Sequence, residues 1–177
     1  MKQKTLSDAL FSIAWGYVLI HLHFNVGPAD ILPDWLGYIL FYFAMNTLKE
    51  SEPSLKNLQP ITIILTIWDV ALMFIPAIST FSVIITILSL YFHYQFLTSL
   101  ASIATKNQCT QGESLLRLRI ARTILIALFA IPVDWNSFVI IVYLLLIANL
   151  VVAIWLCVVM FSFRKSLKVR EMTIGIE

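Results

Sequence analysis

The chain has 177 residues, of which 60% are hydrophobic and only 12% charged, and its mean hydropathy is +0.89. Those values exclude an ordinary water-soluble domain and predict an integral membrane protein. The pI near 8.6 and formal charge of +2 are no sign of nucleic acid, because the Lys and Arg residues fall in short clusters between apolar stretches.

Taken in chain order, Lys2 and Lys4 precede a first apolar stretch, about 6–26. It resembles a secretory signal in its flank, but His21, His23 and Asn25 follow without a small-x-small cleavage site, so an uncleaved span is expected. A turn with Asp30 and Asp34 leads to a second span, 33–49, and Lys49 and Lys56 precede a third, 60–77. A fourth, 80–104, ends at Lys106. In the polar loop after it, Thr110-x-x-Glu113 has the spacing of a capping box that starts a helix near Gln111. The fifth span, 114–132, carries Arg117, Arg119 and Arg122, a turn holds Asp134, and the sixth runs 136–162 into Arg164, Lys165, Lys168 and Arg170.

The fold class expected is therefore all-α: a single polytopic domain over 1–177, with six transmembrane helices arranged as three hairpins. Every Lys and Arg can lie on one side, while the opposite turns carry only Asp30, Asp34 and Asp134. Positive charge resists translocation, so both termini are expected in the cytoplasm and the protein in the plasma membrane. The expected partners are the lipid bilayer, anionic lipids at the basic tail Arg164 to Arg170, and a partner membrane protein, with no nucleic acid. Cys109 and Cys157 are expected as free thiols, one in a loop and one in the last span. The Asp residues of the turns suit helix starts, and Trp35 and Trp135 suit the headgroup boundary. Ile31–Leu40 and Ile131–Ile140 share Ile, Asp and Trp, a similarity compatible with internal duplication or with shared demands on a turn.

Asp69 is the acid that this topology places deep in a span, where a carboxylate must face protein or water. Thr62, Thr66 and Asp69 follow helical spacing on the third span, and Ser82, Thr86, Ser89 and His93 follow it on the fourth. The two stripes suggest facing surfaces. Counting back from the turns at ~1.5 Å per residue puts Asp69 and Arg122 at roughly 14–16 Å, and Arg119, Asn46, Asn149 and His93 at roughly 20–22 Å. These residues are expected to form one polar belt, with Arg122 the natural partner of Asp69. Two uses of the belt stay open. One is a structural Asp69–Arg122 pair; the other is a cavity in which Arg119 or Arg122 binds an anionic group and Asp69 or His93 couples to protons. His21 and His23 point to opposite sides of the first helix, too few ligands for a metal. With no hydrolase, zinc, redox or phosphate-loop motif in the chain, neither a catalytic residue nor a cofactor is expected. The function expected is a transport or accessory subunit that binds a small ligand or a partner. A membrane enzyme acting on a lipid or isoprenoid, or a scaffold, is the alternative.

The run Asn25 to Tyr42, NVGPADILPDWLGYILFY, resembles a segment of small bacterial multi-pass membrane proteins of uncharacterised function, mostly Gram-positive. The resemblance implies a bacterial plasma-membrane protein with an outer turn built on Asp30, Pro33, Asp34 and Gly37. In size, six spans in about 20 kDa, the chain is similar to the substrate-binding subunits of energy-coupling vitamin transporters. Those dock through an alanine-x-x-x-alanine pattern in the first span. Here Ser12-x-x-x-Gly16 stands nearest to that pattern.

Overall fold

The computed structural model describes residues 5–21, 25–26, 29–30, 34–75, 82–130 and 138–174. Within them the chain is helical apart from one two-residue ladder and the short connections between helices. The helices are α1 Leu6–His21, α2 Asp34–Leu48, α3 Gln59–Phe74, α4 Ser82–Lys106, α5 Gln111–Phe129 and α6 Val139–Ile174. Between α1 and α2, β1 (Asn25–Val26) pairs antiparallel with β2 (Ala29–Asp30), in the register Asn25 with Asp30 and Val26 with Ala29. A 3-10 turn, Pro53–Leu58, leads directly into α3. Pro53 and Pro60 each stand in a first helical turn, where a missing N–H costs nothing.

Three of these helical units are long and apolar enough to cross a membrane: Pro53–Phe74, Ser82–Lys106 and Val139–Thr173. Two boundaries differ from the sequence expectation. The first helix is described over Leu6–His21, and Asn25 and Val26, expected within the span, belong to the ladder instead. The last runs on past 162 to Ile174, because its polar tail finds partners along the bundle. Glu171 accepts hydrogen bonds from the Ser7 backbone N–H and hydroxyl, at 3.1 and 2.6 Å. Arg170 donates to the Gln108 carbonyl at 3.1 Å, and Arg164 lies 4.1 Å above the Phe11 ring. The basic tail is thus partly engaged within the chain. α5 does begin at Gln111, yet Thr110 is in helical conformation and its side chain makes no cap bond; Glu113 instead pairs with Arg117 at 3.4 Å.

α1 packs between α2 and α6, α2 also against α3, α4 against α5, and α5 against α6. α3 and α4 touch much less. The α1–α2 contact is the tightest, and glycine makes it so. A Cβ on Gly37 would stand 2.7 Å from the Gly16 carbonyl oxygen, and one on Gly16 would stand 2.5 Å from the Phe41 ring. Gly16, the small residue of the docking-like pattern, therefore faces this chain's own second helix.

The core is aromatic where these helices converge. Tyr17, Phe41, Phe92 and Phe96 are fully buried. Their rings lie 4.8 Å (Tyr17–Phe41), 5.1 Å (Phe41–Phe96) and 5.2 Å (Phe92–Phe96) apart, as edge and offset contacts favour.

At the end of the bundle that carries the Lys and Arg clusters, polar groups replace the rings. Glu52 accepts hydrogen bonds from Lys106 (2.9 Å), Ser102 (2.7 Å) and Ser54 (2.9 Å), which ties the α2–α3 connection to the end of α4. The Lys106 ammonium, then the Ser102 hydroxyl, hold the Glu52 carboxyl below its usual range.

Candidate functional site

A cavity of about 460 Å³ lies toward the end of the bundle where α1, α3 and α5 finish and α2 and α4 begin, and all six helices contribute to its wall. Its volume is within the range of small-ligand sites. The fourth-helix stripe of Ser82, Thr86, Ser89 and His93 lines it, as do Asp69 of α3 and Asn149 of α6. Thr62 and Thr66 do not; each donates to the carbonyl one turn earlier, Leu58 and Thr62.

Arg122 is the centre of the site. It is 8% exposed, yet it reaches the cavity wall. Its Nη2 donates to His93 Nε2 at 3.2 Å and its Nη1 to His21 Nε2. A guanidinium can only donate, so both imidazole nitrogens facing it accept. The other nitrogen of each ring must then carry the hydrogen. His21 Nδ1 donates to the Tyr17 carbonyl at 2.7 Å, and His93 Nδ1 faces the Tyr17 hydroxyl at 3.5 Å. The guanidinium also lies 5.6 Å from the centre of the Tyr17 ring.

Helix direction brings these side chains together. Cβ atoms lean toward the start of their own helix. α1 and α5 run toward the cavity end and α4 runs away from it, so Arg122 and His21 lean inward while His93 leans out to meet them. The Tyr17, Phe41 and Phe92 rings pack against His93, at 5.8, 6.4 and 5.2 Å between ring centres.

Opposite Arg122, on the α2–α3 side, Asp34 and Asp69 line the same cavity. They are within electrostatic range of each other, and Asp34 of Arg122. Asp69 and Arg122, however, form no ion pair: among the described residues Arg122 touches no carboxylate, and Asp69 Oδ2 is buried without a hydrogen-bond partner. In place of the expected direct pair, Arg122 meets two imidazoles and Asp69 Oδ2 is buried without a hydrogen-bond partner.

Two other members of the expected belt lie elsewhere. Asn46 Oδ1 accepts from Lys49 Nζ (3.1 Å) and Gln59 Nε2 (2.9 Å) at the basic end of α2. Arg119 donates to Thr98 Oγ1 at 3.0 Å and stacks 4.5 Å over Tyr94, on the α4–α5 seam. Asp30 belongs to the short ladder, but its side chain and the whole of Asp134 lie outside the described residues, as does Trp135. Sequence reasoning missed Tyr17, and Tyr38, whose hydroxyl is 3.4 Å from Ser89 Oγ. A signal existed: Tyr17 and His21, like Asp34 and Tyr38, are spaced four apart and so share a helix face. Among the described residues no group of His, Cys, Asp or Glu is arranged to hold a metal ion. Comparison with protein-family models, with curated proteins and with solved structures finds no match, so the site is read from its own chemistry.

Proposed function

We propose that this is a six-span plasma-membrane protein with both ends in the cytoplasm, and that it binds a small ligand bearing an anionic group in the six-helix cavity, as a transport or accessory subunit. The spans favoured are the three long apolar helices together with α1, α2 and α5, which pack beside them. The orientation is favoured by the Lys/Arg clusters at the end away from the cavity.

One observation carries the ligand reading. A buried guanidinium borders a ligand-sized space and meets two imidazoles and, among the described residues, no carboxylate within hydrogen-bond distance. Burying a charge without a directly bonded counter-charge is costly, and an anion arriving at Arg122 reduces that cost. Asp69, which lines the same cavity, takes a hydroxyl or amine of the ligand in this reading.

The test is thermal unfolding of the purified protein in nanodiscs against small anions such as inorganic phosphate, acetate and glycerol phosphate. A ligand at about 100 times its Kd should stabilise by about 2–3 kcal/mol, and Arg122→Gln should remove that gain. Equal responses of the two proteins across the panel would refute an anion site at Arg122.

A further inference from the structure

A second space adjoins the first. Between α1 and α6 runs a groove of about 430 Å³ whose wall is almost wholly apolar, formed by Val18 of α1 and by Leu150, Ala153, Ile154, Cys157 and Val158 along one face of α6. The small side chains of Ala153 and Cys157 leave the space. At the basic end it is bounded by Phe161, whose ring meets Trp15 edge-on at 6.3 Å.

His21 lines both the groove and the polar cavity, and it is one of the two residues that accept from Arg122. Cys157, in the groove, is within electrostatic range of the Arg122 guanidinium. The charged site thus has an apolar annex on its α1–α6 side. The acids of the cavity, Asp34 and Asp69, stand on the opposite α2–α3 side, whereas the polar neighbours on the annex side are His21 and Asn149.

From this shared His21 wall we infer that the ligand is an amphiphile: an anionic head at Arg122 and His21, with one hydrocarbon chain lying in the α1–α6 groove. The inference rests on the cavity reading above and adds the tail. A wholly water-soluble anion leaves the annex unused, and a neutral hydrocarbon makes no use of the Arg122 guanidinium. The groove faces the bilayer through exposed Leu150, Ile154 and Val158, so the chain can enter laterally from lipid while the head slides past His21.

Cys157 reports on the tail directly. The native protein in phosphatidylcholine nanodiscs is labelled with a membrane-permeant maleimide, and peptide mass spectrometry follows Cys157, with Cys109 as internal control. The additives are hexadecyl phosphate, hexadecanol and glycerol phosphate. Hexadecyl phosphate should slow labelling of Cys157 about tenfold at roughly ten times its Kd and leave Cys109 unchanged, whereas hexadecanol should not protect. Val158→Trp narrows the groove from its lipid-facing rim; it should abolish protection while keeping the thermal response to glycerol phosphate. Equal protection by hexadecanol would show that the groove holds any chain without reading its head, and the inference would fall. Stabilisation by glycerol phosphate without protection by hexadecyl phosphate would overturn the tail and leave the cavity reading standing. Absence of both would overturn the two together.

Discussion

Arg122 of α5 and His93 of α4 meet through a single hydrogen bond, Nη2 to Nε2 at 3.2 Å, and that contact joins the polar site to the buried Tyr17. A planar fork is needed to reach His93 and His21 at once, and lysine has no fork. Arg122→Lys should therefore leave one imidazole without its donor and cost about 1–3 kcal/mol, measured as unfolding in nanodiscs against wild type. A lysine variant of unchanged stability would mean that the two histidines do not depend on the guanidinium.

Asp69 and Arg122 share a cavity without touching, so their contributions should be nearly independent. In a double-mutant cycle with Asp69→Asn and Arg122→Gln, the coupling energy should be within about 0.5 kcal/mol of zero. Coupling of several kcal/mol, with the double variant recovering part of the loss, is the signature of a dry ion pair and would contradict the geometry.

Gly37 tolerates no side chain where it is. Its Cβ would meet the Gly16 carbonyl at 2.7 Å and Ile20 at 2.5 Å, and a backbone oxygen cannot swing aside as a side chain can. Gly37→Ala should push α1 and α2 apart at a cost of about 1–3 kcal/mol. Gly112→Ala is the control: the Thr105 hydroxyl 3.1 Å away can rotate, so the loss there should be smaller.

Glu52 supplies a pH dependence of known sign. Its carboxyl is held below the usual value of 4.5, first by Lys106 and then by Ser102. A group whose folded pKa is depressed contributes stability above its unfolded pKa and loses it as pH falls through the folded one. The Glu52 contribution should therefore be complete above about pH 4.5 and fade below it, and Glu52→Gln should flatten that part of the stability profile. Parallel profiles for the two proteins on the acid side would show that the Lys106 contact adds nothing.

Orientation can be read with the loop thiol. Cys109 follows the end of α4, at the basic end of the bundle, and burial raises its thiol pKa, so it reacts slowly even when accessible. An impermeant maleimide should label it in opened but not in intact cells. Labelling in intact cells would invert the proposed topology.

Much of this molecule is present in its linear pattern. Apolar length and the sorting of Lys and Arg mark the helical stretches and the basic end, and the period of Ser82, Thr86, Ser89 and His93 marks the face of α4 that lines the cavity. These are local properties, set by helix pitch and by the cost of placing charge in hydrocarbon. Asp69, Arg122, His93 and Asn149 of the expected belt line one cavity. Partner choice was not legible. Asn46 and Arg119 sit at comparable estimated depths, but their helices turn them toward Gln59 and Lys49 in one case and Tyr94 and Thr98 in the other.

What the sequence alone determines is which stretches are helical and which residues share a helix face, because each depends only on neighbours along one helix. Tertiary structure decides that Arg122 meets two histidines instead of Asp69, that Gly16 serves the α1–α2 contact, and that an apolar groove opens beside the charged cavity. Those outcomes depend on the rotation and separation of each helix. Side-chain volume at the contacts sets both, and the 3.6-residue period leaves both free.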